Sequence, residues 1–460
     1  MTFEPVIAAI RFGEGLAPAI PLAPDVDALL AALTGPDRAA EAFPIAPFSQ
    51  AYPSIRDHRD ASLAVRQAEG AAAQQAAEAA RDAVRAAGRD ALARQVMMAL
   101  GRSTLTGDGL RERLTRFWAD HFTVRAVQGI TRHLVAPYVQ EAIRPHVTGR
   151  FSDMLRAAVT HPMMLIFLDQ VQSMGPNSRA ARNNDRGLNE NLARELLELH
   201  TLGVGGAYDQ RDVRELAELL TGLTFHPERG FLFRHAQAEP GPEVVLGRSY
   251  GGADPATLDE VLAVFDDLAA HPDTARHIAR KLAVHFVADD PDPGLVAALE
   301  DRFAATGGDL LAVTEALLTH PAAWAPAPRK VKPPFDFVAS ALRALGVPAA
   351  AFHNATLQQA RGLAHRPLRL MGQSWQEPVG PDGWPEAAEA WITPQGMAAR
   401  ITWAMEAPGQ ILDRLPDPRD FVHHALGPEP PGEVVFAAHA AEQVSDGIGI
   451  VLASPAFNRR

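Results

Sequence analysis

From Ser62 to about Leu100 the chain is alanine-rich, interrupted mainly by Arg, Glu and Gln, and such a stretch orders most cheaply as helix. It reads as one long, partly exposed helix or as two, with Gly70 and Gly88 as the breaks. The same preference runs through the whole chain, where alanine and leucine dominate and aromatics make up only 7%. Leu110, Leu114, Phe117, Trp118 and His121 recur at three- and four-residue steps, one stripe of an amphipathic helix. Helical patterns also cover 131–144, 151–171, 187–202 and 210–222, then 256–287, 292–305 and 309–319, then 335–345 and 354–362. Strand signals are confined to Leu223–His226 and Phe231–Arg234 around the turn Pro227–Gly230, with irregular sequence from Glu239 to Pro255. The expected fold class is therefore mainly α, a multi-helix array with a small β-hairpin excursion near 223–247.

Punctuation supports this reading. His161-Pro162, His271-Pro272 and His320-Pro321 each stand where a helix should stop or start, because proline disfavours helix in the residue before it. A proline-rich link, Pro321–Pro334, separates an expected main helical domain (1–320) from a C-terminal helical part (321–460) that packs on it as one unit. The latter carries a loop rich in Gly, Pro and Trp at 371–396.

Several function classes fall away on composition. A net charge of −12 repels phosphate backbones, which argues against nucleic acid as a partner. Cysteine is absent, so thiolate nucleophiles, disulfides and cysteine-ligated metals are excluded. No apolar run approaches the roughly 20 residues that span a bilayer. The N-terminus has no basic region before a short apolar run, so cytoplasmic residence is the default expectation. There is no Gly-x-Ser-x-Gly elbow, phosphate loop, dinucleotide fingerprint or His-Glu-x-x-His helix.

Polar residues concentrate between Ser173 and Asp212. At about 100° per residue, Asn191, Glu195 and Glu198 share one arc of a helix, flanked by Glu190 and Arg194, with Leu192, Leu196 and Leu199 opposite. His200 falls at the edge of the leucine stripe. Carboxylates one turn apart repel unless a cation, a proton or an arginine intervenes. Facing inward, Glu195, Glu198 and His200 would take a divalent metal, or one carboxylate would have its pKa raised for acid–base work. Closed by Arg182, Arg186, Arg194 or Arg214, the same arc would be a structural network. His121 joins Glu195 and Glu198 as a candidate catalytic group, or is a core histidine; Asp120 points about 100° away from it. Asn189, Asn191 and Arg194 are candidate binding residues. Asn183, Asn184 and Asp185 with Asn189 hint at calcium without the spacing of a calcium loop. On the loop after Met371, Trp375 and Trp384 either stack on a ligand or anchor the loop to the body of the fold.

A set of stretches is similar to one bacterial family, known as domain of unknown function 1800. They are Arg11-Phe-Gly, Phe117-Trp-Ala-Asp-His-Phe-Thr, His161-Pro-Met-Met-Leu-Ile-Phe-Leu-Asp169, Gly175-Pro-Asn-Ser, and the run from Arg186 through Asn189-Glu-Asn to His200-Thr-Leu-Gly203. Leu220-Thr-Gly, Leu246-Gly, Pro272-Asp-Thr-Ala-Arg, Gly307-Gly-Asp-Leu, Lys332-Pro-Pro and Gly383-Trp-Pro follow in the family's order. The resemblance implies a helical protein and carries no activity with it. It also implies a co-encoded neighbour, a secreted sulfatase-like protein with a twin-arginine signal, with which a signal-less chain would be exported as a complex. Two departures stand out: Asp120 replaces a common Asn, and Ala238 precedes Glu239-Pro-Gly where His is expected.

Two functional expectations result. One is a hydrolase-like enzyme, metal-assisted if the acidic helix binds a divalent ion. The other is a non-catalytic partner or maturation factor for the co-encoded secreted protein.

Overall fold

A computed structural model of the chain describes residues 3–126, 129–183 and 187–460. Helices α1 (Pro53–Gln67) and α2 (Ala71–Leu105) pack against each other and are separated at Gly70, where φ is +85°. Gly88 does not interrupt α2: a Cβ there would lie 3.2 Å from His133 Nδ1, so the missing side chain makes room for the turn Gly129–Leu134. Helix α3 (Gly109–His121) begins where the Asp108 carboxylate accepts the Arg111 N–H at 3.1 Å, and its predicted stripe is buried. The polar segment forms a short helix, α4 (Asn191–Glu195), that runs into a π-helical turn, Leu196–His200. Helix α5 (Gln210–Leu219) opens on a capping box made by Asp209 and Asp212.

Two antiparallel hairpins follow. β1 (Leu223–His226) pairs with β2 (Gly230–Phe233), as the sequence predicts. β3 (Pro242–Val245) and β4 (Arg248–Gly251) form a second hairpin inside the stretch expected to be irregular. Its turn residues are Leu246 and Gly247, with φ of 51° and 75°. A turn that needs two positive φ values usually carries Asn-Gly, and the leucine hides it from a reader. The hairpin hangs from α5: Val244 N–H donates to Glu215 at 2.8 Å and Leu246 N–H to Asp212 at 2.7 Å.

The three His-Pro pairs share one local design. In each, the imidazole Nδ1 accepts the backbone N–H two residues on, at 3.1 Å (His161 to Met163), 3.1 Å (His271 to Asp273) and 3.2 Å (His320 to Ala322). The histidine acts as an N-cap while the proline starts the helix, an arrangement seen at the boundary between α6 (Leu258–Ala270) and α7 (Pro272–Phe286).

The apolar residues bury in two clusters. The first draws on α3 to α7, including Phe117, Trp118, Leu196, Phe265 and Phe286. The second is built from α8 (Pro334–Ala344), α9 (Pro394–Ile411) and α10 (Val444–Ala453). It also takes in Phe43 and the end of α2, Ala93 to Leu100. The architecture is mainly α with two small hairpins. Among the described residues no helix is long and apolar enough to cross a membrane.

Candidate active site

Helix α3 faces two ways. Phe117, Trp118 and His121 point into the first cluster, while Glu112, Arg116, Ala119 and Asp120 line a cavity of about 190 Å³ at the seam between the two clusters. The opposite wall comes from Phe335 and Asp336 on α8 and from the loop bearing Trp375, Trp384, Glu386 and Trp391. A larger groove of about 670 Å³ lies beside Arg111 and His353. There Arg111 is already committed to Asp108 at 2.8 Å and to the Gly35 carbonyl at 2.9 Å.

Asp120 is half-buried at the seam, and its Oδ1 accepts the Trp384 N–H at 2.8 Å. Gly383 makes that approach possible. Its φ is +81°, and a Cβ would come within 2.7 Å of Asp120 Oδ1. Burial pushes the Asp120 carboxyl up to about 7, against the pull of the Trp384 N–H and Lys281 and with help from Glu386 and Asp382. Glu386 behaves oppositely: burial would raise it, but His285, Lys330 and Arg460 hold it well below the usual carboxylate range. His285 Nδ1 lies 2.5 Å from Glu386 Oε1, and Arg113 Nη2 lies 3.3 Å from His285 Nε2. An arginine can only donate, so Nε2 accepts and Nδ1–H donates to Glu386. Lys330 Nζ adds a 3.1 Å contact to Glu386 Oε2.

Behind this pair lies an ionic network joining the clusters. Asp336 contacts Arg113 at 3.1 Å, Arg116 at 3.2 Å and also Arg460. Burial opposes its charge, but these three guanidiniums hold its carboxyl far below the usual range. Arg116 also reaches Glu14 at 2.6 Å. Arg11 ties the N-terminal turn to the Ala323 carbonyl at 2.6 Å. In the cleft, Asp120 and Thr123 of the Phe117–Thr123 stretch meet Pro333 of Lys332-Pro-Pro with its following Asp336 and Trp384-Pro385 of Gly383-Trp-Pro, and Glu14 of the N-terminal turn is tied to the wall through Arg116.

The residues singled out from sequence fall in three places. Trp375 and Trp384 both line the cleft; Trp375 stacks on Phe335 with centroids 5.3 Å apart, and Trp384 lies 6.1 Å from Trp391. His121 is buried away from it: its Nε2–H donates to the His200 carbonyl at 3.1 Å, Nδ1 has no partner among the described residues, and burial keeps the ring neutral. His200 sits beside it, ring centroids 6.2 Å apart, with burial driving its pKa down to about 3. The expected leucine stripe with His200 at its edge is corrected by the π turn. An i→i+5 turn adds a residue per revolution, so Leu192, Ala193, Leu196, Leu197 and His200 become the buried set.

The acidic arc lies outside the cleft. Arg194 ties Glu190 at 3.2 Å and Glu198 at 3.5 Å and also reaches Gln210 at 3.1 Å. Arg214 pairs with Glu218 rather than with the arc, Arg182 is exposed, and Asn184, Asp185 and Arg186 lie outside the described residues. Asn191 is exposed, and Asn189 braces the segment by donating to the Leu168 carbonyl at 3.2 Å. Glu195 is half-buried, raised by burial and then by Glu198 and Asp382. Among the described residues no three His, Asp or Glu side chains stand together as metal ligands, so the structure does not gather Glu195, Glu198 and His200.

Sequence reasoning passed over His285, Asp336 and Glu386, and it marked Asp120 only as pointing away from His121 and as a departure from a common Asn. One signal was available: a residue 100° from a buried stripe, as Asp120 is from His121, is the one free to face a second surface.

A helical chain with a cleft at the seam of its two apolar clusters invites comparison with known proteins. The family described as "Protein of unknown function (DUF1800)" matches residues 21–459, and the chain belongs to it. Neither the curated proteins nor the solved structures include a match.

Proposed function

We propose that this chain is a hydrolase-type enzyme working by general acid–base chemistry on a small molecule in the seam cleft, with Asp120 as the proton-transfer group. The observation that carries the reading is a carboxyl poised at about 7 on a cavity wall, beside a Glu386 that stays ionised. Surroundings that drive two acids apart are how one site supplies both a proton carrier and a fixed charge at neutral pH. Ionised Asp120 would take a proton from water as its oxygen attacks the scissile bond and return it to the departing group, consuming one water per cleavage. The Trp384 N–H fixes Oδ1 and leaves Oδ2 for that transfer. His285 positions Glu386 and is itself held by Arg113.

An Asn at position 120 would keep an acceptor oxygen but not the proton. Asp120→Asn is therefore the informative variant. Purified protein and Asp120→Asn would be tested on chromogenic p-nitrophenyl esters, phosphoesters and glycosides, with melting temperatures recorded alongside. Turnover is expected to rise with pH through about 7 and to fall by about 100-fold or more in the variant. No turnover, or equal rates in both proteins, would overturn the reading in favour of the non-catalytic partner of a secreted protein.

A further inference from the structure

Arg102, in the last turn of α2, lines the seam cleft and is 4% exposed. Its Nε–H donates to the Phe43 carbonyl at 2.8 Å and its Nη1 to Gln140 Oε1 at 2.8 Å, while Nη2 has no partner among the described residues. The other guanidiniums on the cleft wall are neutralised at close range. Arg116 lies against Glu14 and Asp336, and Arg144 lies 2.5 Å from Asp37 and 2.5 Å from Glu112. Among the described residues Arg102 has no carboxylate within ion-pair distance, and burial, followed by repulsion from Arg144, pulls it down to about 10. The carboxylates nearest to Arg102, Glu112 and Asp37, are paired directly with Arg144. A buried cation that only shares distant carboxylates is costly to fold around unless something else supplies negative charge.

Two more polar groups lining the cleft, on the loop that forms its opposite wall, are also unsatisfied. Among the described residues Trp375 Nε1–H finds no acceptor and Gln376 Oε1 no donor, and Gln376 is held at a φ of +54°. The rest of the cleft lining is largely apolar and includes Ile45, Ala99, Val135, Val139 and Leu368. Arg102 interacts with Glu112, whereas the proton carrier is Asp120, eight residues further along α3. That separation is about 12 Å of helix rise.

We infer that the cleft takes an elongated, mostly apolar molecule ending in a carboxylate, the acid group bound at Arg102 and the reacting bond presented to Asp120. The inference rests on the seam cleft being the substrate site. One free guanidinium nitrogen with an indole N–H suits a singly charged planar acid better than a doubly charged phosphate, which would want more donors.

The test is calorimetric titration at pH 7 with 2-naphthoate, its neutral isostere 2-naphthamide, and 2-naphthyl phosphate. Wild-type protein should bind the acid on the order of tenfold more tightly than the amide. Arg102→Gln should abolish that preference with amide affinity unchanged, and Arg102→Lys should restore part of it. Equal binding of acid and amide, no binding of either, tighter binding of the phosphate, or a preference that survives Arg102→Gln would each overturn the assignment. If Arg102→Gln fails to fold, the wild-type comparison decides alone. Because no turnover is read, an acid preference stands even if the Asp120 assay fails, and its absence leaves that assay untouched.

Discussion

Helix α4 and the seam cleft both collect acids, arginines and a histidine nearby, yet they hold them in opposite ways. On α4 the partners are one helical turn apart, and the Arg194–Glu198 pair leaves its side chains 38% and 28% exposed. In the cleft, Arg460 and Asp336 are 1% and 10% exposed and 124 residues apart in sequence. Exposed i,i+4 pairs are screened by water and contribute little. Buried pairs feel a lower dielectric, and losing one partner strands a charge. The difference teaches that local density of polar residues can mark a solvated face, whereas a single polar residue inside an aromatic motif, as Asp120 is, can mark the place where distant segments meet.

The comparison breaks most easily at Asp336. Asp336→Asn should destabilise the protein by about 3–5 kcal/mol in urea unfolding at pH 7, since it takes the shared carboxylate from Arg113 and Arg460 and leaves Arg116 with Glu14 alone. Glu198→Gln, in the same assay, should cost no more than about 0.5 kcal/mol. Similar values for the two would dissolve the distinction.

The next effect is read against pH. Asp120 at about 7 in the folded state compares with roughly 3.9 for an unfolded aspartate. The folded protein therefore keeps its proton longer, and ionisation costs stability as pH rises from about 4, with the full cost reached above 7. Asp120→Asn cannot ionise, so it should gain on the wild type across that window by about 2 kcal/mol. That is half of the roughly 4 kcal/mol that the full shift corresponds to, because water reaches part of the group and screens its charge. A difference that stays flat with pH would return Asp120 to the ranks of ordinary surface acids.

Gly383→Ala comes third. The forced contact with Asp120 and the +81° φ should lower stability by about 1–2 kcal/mol in thermal melts. Smallest is Glu195→Gln. Burial and Glu198 oppose its charge, so its removal should be neutral or stabilising, within about 0.5 kcal/mol by urea unfolding. A clear loss of stability there would mean the arc holds more than Arg194.

Much of the helical scaffold was legible because its signals are local. The His-Pro caps, the Asp209–Asp212 box and the stripe on α3 each lie within a few residues of one another. Gly88 was misread because its role depends on His133, a contact no local pattern reveals. The π turn rotated His200 inward for the same kind of reason: its wider winding shows up only in backbone hydrogen bonds. The tryptophans of the loop were legible as residues of interest, but their joint occupation of one wall with Asp120 required a 264-residue closure. Charge partners such as Asp336 and Arg460 lie inside otherwise apolar or terminal sequence and give no local sign of each other.

The bond that holds Asp120 comes from the main chain of Trp384, and this changes what mutagenesis can see. Every residue except proline presents the same N–H at position 384. An alanine scan of the loop would therefore remove the indole and leave the Asp120 contact in place, scoring Trp384 by its ring alone. The control over the proton is carried by the path of the backbone, so sequence drift in the loop can replace its side chains without disturbing that bond, as long as position 383 remains free of a Cβ.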